Sequence, residues 1–481
     1  MTTSARLALP FAPGPRGVPL FGSLLDAWKN PLELFARGVR EHGNVVQFKL
    51  GPLRYMLLND VDAVKHVLTD NAKNYTKSRN YKGLKLVLGE GLLTSEGDFW
   101  KRQRRLAQPA FHRDRLAGFV DTMGAATKSA LERWEPKVGT TFDVHEEMMR
   151  LTFHIVGLTL LGANLVDDAD AIGKALTTAL EFANDYAEAA VPLPTWLPTP
   201  RNLEFKRALK TLDDLVLRVI EERRRSNREE KDLLGMLMAV KDDEAAEGTS
   251  NAGMTDRQLR DEIMTLVLAG HETTANALTF TWYLLSKHPD VARRVKKEVD
   301  EVLGGRTPTL ADLSKLVYTR QVIDESMRLY PPAWAFERQA IADDVVNGYA
   351  VPKGTLIGIC MFTLHRNEAY WPNPEGFDPD RFAPDAAGKS ERPRWAYLPF
   401  GGGPRMCIGS AFATMEAVLA LAMFAGKYRL DLPAGTNIDL VPSVTLRPRG
   451  GLPMTLLAQP STPSAFRRSD PSEARASDLR C

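Results

Sequence analysis

The sequence predicts a mainly α fold with a small β-rich subdomain, on three observations. Apolar residues recur at helical spacing through most of residues 60–335. Within that range the stretch from Thr255 to Pro289 runs without a proline, long enough for one unbroken helix. Short β-like runs are confined to residues 45–58 and 337–362.

Residues 1–25 are rich in proline and glycine and read as an extended lead-in. Val45–Leu50 and Arg54–Leu58 read as strands around the turn Gly51-Pro52. The loop Pro192–Pro200, P-L-P-T-W-L-P-T-P, cannot continue a helix and reads as a connector rather than as a lid over a cleft. The charged run Glu221–Lys231 is a solvated helix end, and Asp242–Gly253 a polar surface loop. Thr255 with Gln258 forms a capping box. The helix it opens would run about 33 residues and span about 50 Å at 1.5 Å per residue. It is apolar all round at Met264–Ala269, so it must pass through a core. Turn signals at Asn347-Gly348 and Pro352-Lys353-Gly354 set the later β runs. A proline-rich meander to about residue 399 leads into another helix from Gly409. Residues 26–458 read as one domain, and 459–481 as a disordered tail by composition.

The net charge of +2 supplies no whole-molecule field toward nucleic acid or an anionic membrane. Three cysteines, Cys360, Cys407 and Cys481, make no disulfide framework, and none stands in a CxxC or Cys/His cluster. The N-terminus lacks the apolar run of a signal peptide, and the longest apolar stretch, Ala417–Ala425, is far shorter than the ~20 residues a bilayer needs. The expectation is a cytoplasmic protein without a membrane anchor.

The strongest motif is Phe400–Gly409, F-G-G-G-P-R-M-C-I-G. Its glycines permit positive φ and close approach to a flat ligand, and Pro404 stiffens the turn. Arg405 brings a cation beside Cys407, and the helix starting after the thiol offers N–H groups to a thiolate. A lone cysteine is usually an inert small hydrophobe. One inside a rigid Gly/Arg loop at a helix start is poorly explained that way.

The second motif is Ala269-Gly270-His271-Glu272-Thr273-Thr274, inside the long helix. A mid-helix threonine ordinarily back-bonds to the i−4 carbonyl. Gly270 costs ~1 kcal/mol relative to alanine and needs a packing or functional reason. An acid followed by hydroxyls at such a point can relay protons. The third is Glu325-Ser326-Met327-Arg328 with the downstream run Phe377–Phe382, F-D-P-D-R-F. Glu325 and Arg328 share a helix face, and with Arg381 they can form a bidentate lock. The fourth is Trp100-Lys101-Arg102-Gln103-Arg104-Arg105.

These motifs, in this order, resemble those of the cytochrome P450 family from the lead-in to about residue 458. The decapeptide matches F-x-x-G-x-R-x-C-x-G at every fixed position, Gly403 and Gly409 included. The resemblance implies a mainly helical triangular prism with a small β-rich subdomain. It implies haem b, iron protoporphyrin IX, held by Cys407 as proximal metal ligand, with Phe400 packed on the thiolate side of the ring. Arg405, Trp100, Arg104 and Arg338 would serve the haem propionates. Ala269 and Gly270 would leave room for oxygen and substrate, Thr273 would hydrogen-bond dioxygen, and Glu272 would feed protons. His271 stands at the family's variable position and reads as a hydrogen-bonded helix histidine. Glu325, Arg328 and Arg381 would lock the haem loop structurally. Asp380 stands where the family commonly has glutamate.

The function implied is a haem-dependent monooxygenase that inserts one oxygen atom of O2 into a C–H bond of a small apolar molecule. Fatty acids, terpenoids and steroids are the candidate substrates, and the distal helix resembles that of fatty-acid hydroxylases. Val87, Leu88, Ala269 and the region Asn184–Leu197 are candidates for lining the pocket. Electrons would come from NAD(P)H through separate proteins, a ferredoxin and its reductase or a flavodoxin-type donor, to a monomeric enzyme. Lys101, Arg102 and Arg105 read either as a solvated face or as a docking patch for that donor. Rival readings are a haem-thiolate isomerase, dehydratase or peroxygenase, which tend to lack the acid–alcohol pair, and a non-catalytic haem sensor.

Overall fold

The computed structural model describes residues 9–189, 192–226, 232–239, 254–386, 388 and 391–459. The surface loop at 242–253 and the tail beyond Gln459 therefore lie outside the described residues, as does the end of the charged run after Ser226.

The lead-in from residue 9 is irregular and lies along the first strand, with Gln47 N donating to Pro13 O (2.8 Å). A five-stranded sheet follows, built from β1 (Val45–Leu50), β2 (Leu53–Leu58), β3 (Tyr75–Lys77), β4 (Ala335–Ala340) and β5 (Leu356–Cys360). The strand order is β1-β2-β5-β4-β3, with β2 and β5 parallel and the other pairs antiparallel. The turn before β2 falls at Gly51-Pro52, and Asn347 (φ 47°) and Gly348 (φ 80°) turn the small hairpin between β4 and β5, as their residue types require. Register puts Lys77 of β3 directly opposite Arg338 of β4.

The helices bearing on the site are α1 (Tyr81–Leu88), α2 (Gly97–Ala107), α3 (Val144–Leu160), α4 (Ala169–Glu188), α5 (Asp256–Lys287), α6 (Val317–Leu329) and α7 (Ser410–Lys427). Helix α5 has 32 residues, within one of the length its caps predict. Thr255 Oγ1 accepts from Gln258 N (3.3 Å), and Gln258 Oε1 accepts from Thr255 N (2.8 Å), so the capping box is formed. It packs along α3 and α6 through a core of leucine, isoleucine and methionine. Through its middle it is buried on almost every side, and the exceptions are Ala269, Gly270 and Thr273. Helix α7 is apolar and long enough to cross a membrane by composition, yet it lies 67% buried inside the molecule. The connector 192–199 is held by the next helix, whose Asn202 Nδ2 donates to Pro194 O (3.0 Å) and Leu197 O (2.8 Å).

Glu325 and Arg328 of α6 are wholly buried and joined in a two-pronged ion pair, Nε to Oε2 at 2.7 Å and Nη2 to Oε1 at 2.8 Å. Arg381 Nε reaches the same Oε1 at 3.3 Å, and Asp378 N donates to it at 2.9 Å. Arg328 also donates to the carbonyls of His365, Pro374 and Gly376. His365 in turn accepts from Leu398 N (2.9 Å), close to the start of the Phe400–Gly409 loop. Asp380 points elsewhere and takes a two-pronged bond from Arg294 (2.7 and 2.8 Å). Its departure from glutamate leaves the lock untouched.

Candidate active site

The Phe400–Gly409 loop closes on itself through Cys407 N donating to Phe400 O (2.9 Å). Gly403 has φ +68°, and a Cβ there would stand 2.1 Å from Leu68 O, so a side chain is barred twice over. Gly402 lies against the Trp395 ring, where a Cβ would come within 2.5 Å. Helix α7 then starts at Ser410, and Cys407 faces a cavity of about 660 Å³, exposed to it.

Burial pushes the Cys407 thiol up, while the Gly409 backbone N–H and the Arg104 guanidinium pull it down. The cation felt by the thiol is thus Arg104, not Arg405 as the spacing in the loop had implied. Arg104 Nη1 donates to Met406 O at 2.9 Å. Arg405 turns instead to Ser95 O (2.9 Å) and Glu96 (2.5 Å) and stacks 3.7 Å over Trp100. It lines the same cavity but serves a different part of it. Adjacent residues on a bent loop point apart, which sequence proximity conceals.

The cavity's other wall is the middle of α5. Ala269, Gly270, Glu272, Thr273 and Thr274 all line it. Thr273 Oγ1 donates to Ala269 O (2.7 Å), the ordinary back-bond of a helical threonine. Gly270 has a packing reason, since a Cβ there would meet Val156 Cγ2 of α3 at 3.0 Å. The room on this wall is therefore on the Ala269 side. Glu272 Oε1 accepts from Thr445 Oγ1 (2.6 Å), and its burial raises its affinity for a proton. His271 points away from the cavity and is a core residue. Its ring meets Phe153 edge-on at 5.4 Å, and burial pushes it down to about 3, so it is neutral.

A third wall is cationic. Lys77 and Arg338 are directly opposed across β3 and β4, a like-charge pairing that destabilises a bare sheet. Lys77 is pushed well below its usual value by burial and then by Arg338 and Arg405. Arg405 is pushed down to about 10 by burial, with Glu96 opposing and Arg338 reinforcing the shift. A guanidinium stays charged throughout the working pH range, so this marks the cost of burying it. Glu337, next to Arg338, is occupied by Ser78 Oγ (2.6 Å) and Asn80 Nδ2 (2.8 Å). Among the described residues neither the Lys77 ammonium nor the Arg338 guanidinium is held in an ion pair, and Glu96, the carboxylate that acts on Lys77, is already paired with Arg405. Such a cluster calls for an anionic ligand.

Haem fits this donor set. A thiol faces into the cavity from a glycine loop that leaves room for a flat ring, and the cationic wall suits two propionates. Apolar residues including Leu92, Leu93, Phe336, Phe400 and Val444 supply the rest of the lining. Cys407 would hold the iron, and Lys77, Arg104, Arg338, Arg405 and Trp100 stand where they could receive the propionates.

Two predicted pocket residues are misplaced. Val87 and Leu88 are fully buried in the helical core and do not line the cavity. Leu84, on another face of α1, and Leu92 and Leu93, after the turn at Gly89–Gly91, do. An apolar pair at a helix end carries no sign of which face it takes. Asn184, Ala187 and Ala189 of the predicted 184–197 region reach the cavity, whereas Leu193 and Trp196 are solvent-exposed. Lys77 and Thr445 went unnoticed in the sequence. Their significance lies in partners 261 and 173 residues away, Arg338 and Glu272, and no local pattern announces either.

The cytochrome P450 family model matches residues 12–452. Cyclooctatin synthase of Streptomyces melanosporofaciens is 39% identical over 90% of this chain and 92% of its own length. Cyclooctat-9-en-7-ol 5-monooxygenase of the same organism is 37% identical over 88% of this chain and 90% of its own. The crystal structure of the cytochrome P450DA heme domain superposes with a TM-score of 0.83 at 27% identity, covering 94% of this chain and 99% of that one. The chain belongs to the cytochrome P450 family, and it is a haem-dependent monooxygenase.

Proposed function

We propose that this enzyme hydroxylates a C–H bond of a terpenoid, taking electrons from a separate ferredoxin and its NAD(P)H-dependent reductase. It would work as a cytoplasmic monomer. The observation that carries the reaction class is the cavity bounded by Cys407 on one side and by Ala269, Glu272 and Thr273 on another. The substrate class rests on the apolar lining and on relatives that oxidise terpenoids.

When bound, haem supplies the activation of O2 and the attack on the C–H bond, and the overall change is O2, two electrons and two protons converting C–H to C–OH plus water. The chain's own residues do the rest. Cys407 would hold the haem iron as a thiolate, and that ligation would offset the upward push of burial on the thiol. Glu272 stores a proton, because burial favours its neutral form. Thr273 can release Ala269 O and turn its hydroxyl to the cavity to pass that proton on. Ala269 leaves a small-residue gap for the substrate. The presence of the acid–alcohol pair on the wall favours a monooxygenase over an isomerase or dehydratase.

Electrons would enter on the α2 side. Lys101 and Arg105 are exposed there, beside a shallow depression shared with Gln108, Pro109 and His112. That surface suits an acidic donor.

The test is a ligand screen on the purified holoenzyme, following the low-to-high spin shift of the haem, with products identified for each hit. Cyclic terpenoids should give the shift and a hydroxylated product, and a response to fatty acids alone would overturn the substrate class. Thr273→Ala should consume NAD(P)H while releasing peroxide in place of product; unchanged coupling would remove its proton role.

A further inference from the structure

Glu272 does not stand alone. Its Oε1 accepts from Thr445 Oγ1 at 2.6 Å. Thr445 lies between β6 (Leu440–Pro442) and β7 (Leu446–Pro448), a hairpin whose connecting residues Ser443, Val444 and Thr445 line the cavity. Asn276 Nδ2, one turn along α5 from Glu272, donates to the same Thr445 oxygen at 3.2 Å. Asn276 Oδ1 in turn pairs with His145 Nε2 at 3.0 Å, on the first turn of α3. Asn276 is fully buried, Glu272 and Thr445 nearly so, and His145 is half-buried.

The placement of the Asn276 amide sets the directions of these bonds. Asn276 presents its oxygen to His145, so His145 Nε2 must carry the hydrogen, in either its neutral or its charged form. Asn276 then presents N–H to Thr445, whose oxygen is the acceptor. The only hydrogen left on Thr445 is its own, and it goes to Glu272. Every donor in the chain points inward. Three elements distant in sequence, α3, α5 and the β6–β7 hairpin, meet at one carboxyl.

We propose that Thr445, Asn276 and His145 are positioning residues that tether the Glu272 carboxyl at the cavity wall and set its hold on a proton, with His145 as the solvent-side end. The proposal rests on the reading of Glu272 as the proton-storing acid. With Oε1 held by a donor that cannot turn away, the carboxyl has one orientation, and a proton is carried on its other oxygen. A hydroxyl donating to a carboxylate favours the ionised form, so Thr445 works against the burial that holds the proton. The tether thus keeps Glu272 able to release the proton as well as to store it. The other charged groups facing the chain are Asp143, whose carboxylate caps α3 and draws a proton onto His145, and Arg447, which repels one. Arg447 also favours ionised Glu272, and on the surface it is paired with Glu181 at 2.5 Å. His271, neutral, lies behind.

The experiment follows the carboxylic C=O stretch of Glu272 by infrared difference spectroscopy across pH in the ferric holoenzyme, with Glu272→Gln assigning the band. Thr445→Val should raise the pH midpoint of that band by about one unit, the size expected for losing one hydrogen bond to a carboxylate. Thr445→Ser should restore it. His145→Phe should move the midpoint the same way by a smaller amount. In turnover, Thr445→Val should lower product formed per NAD(P)H and enlarge the solvent isotope effect. A midpoint unmoved by Thr445→Val overturns the tether. If Glu272→Gln leaves coupling and isotope effect at wild-type values, the proton-storing role of Glu272 falls instead. The midpoint measurement decides the tether independently of that result.

Discussion

Arg328→Lys keeps the charge beneath the haem loop and removes only the planar fork, so it separates geometry from electrostatics. Arg328 uses all of its five N–H donors. Two go to Glu325 (2.7 and 2.8 Å), and three go to the carbonyls of His365 (2.9 Å), Pro374 (2.6 Å) and Gly376 (2.8 Å). An ammonium has three donors and cannot match a fork bidentately. At least two buried acceptors are then left unmade, at roughly 1–3 kcal/mol each, for a loss of about 2–6 kcal/mol. That compares with a typical total stability of about 5–15 kcal/mol. The assay is equilibrium urea unfolding of paired holoenzymes, read by tryptophan fluorescence, since Trp371 stacks 5.2 Å from the guanidinium. Haem content after purification should fall in parallel. A variant within about 1 kcal/mol of wild type would refute the reasoning and show that charge alone secures the loop.

Three further outcomes are expected. Gly403→Ala should lose most thiolate-ligated haem, because its Cβ would meet Leu68 O at 2.1 Å, whereas Gly409→Ala, with nothing nearer than 3.8 Å, should retain it; the red-shifted Soret band of the reduced carbon monoxide complex distinguishes them. Glu262 is buried, and its carboxyl is pushed up to about 7. In the unfolded chain it would titrate near 4.3, so the folded state holds the extra proton between those values and stability must fall as pH rises through that window, by roughly 4 kcal/mol in all. Denaturation at pH 5 and pH 8 should show that slope in the wild type and a flatter one in Glu262→Gln; equal slopes would refute it. Charge reversal at Lys101 and Arg105 should slow reduction by the donor at low salt and matter less at high salt; stopped-flow reduction with no salt dependence would leave α2 a merely solvated face.

The long helix was legible because its signals are local. Thr255 and Gln258 cap it, and Pro289 ends it, all within one stretch of chain. The Phe400–Gly409 loop and the Glu325–Arg328 pair were legible for the same reason, since glycines and an i, i+3 spacing carry their geometry with them. What failed to show depended on orientation or on distant partners. Val87 and Leu88 look like pocket residues until the rotation of α1 is known. Arg405 looks like the neighbour of Cys407 until the bend of the loop gives that place to Arg104. Lys77 is one lysine in a three-residue strand, and its meaning comes wholly from the register that sets it against Arg338.

The contact between Gly403 and Leu68 has a consequence for how the molecule is made. The thiol loop is seated against backbone 335 residues earlier in the chain, and the cationic wall joins Lys77 to Arg338. The site therefore has no early fragment. Residues 65–105 emerge early in synthesis, but β3 waits for β4 at 335–340, and Leu68 and Arg104 wait for residues 400–409. Contacts of such sequence separation form slowly and late in folding. Haem capture through Cys407 should accordingly report that the far ends of the chain have met, and a chain ending before Phe400 should present neither the Cys407 thiol nor a finished cationic wall to the cofactor.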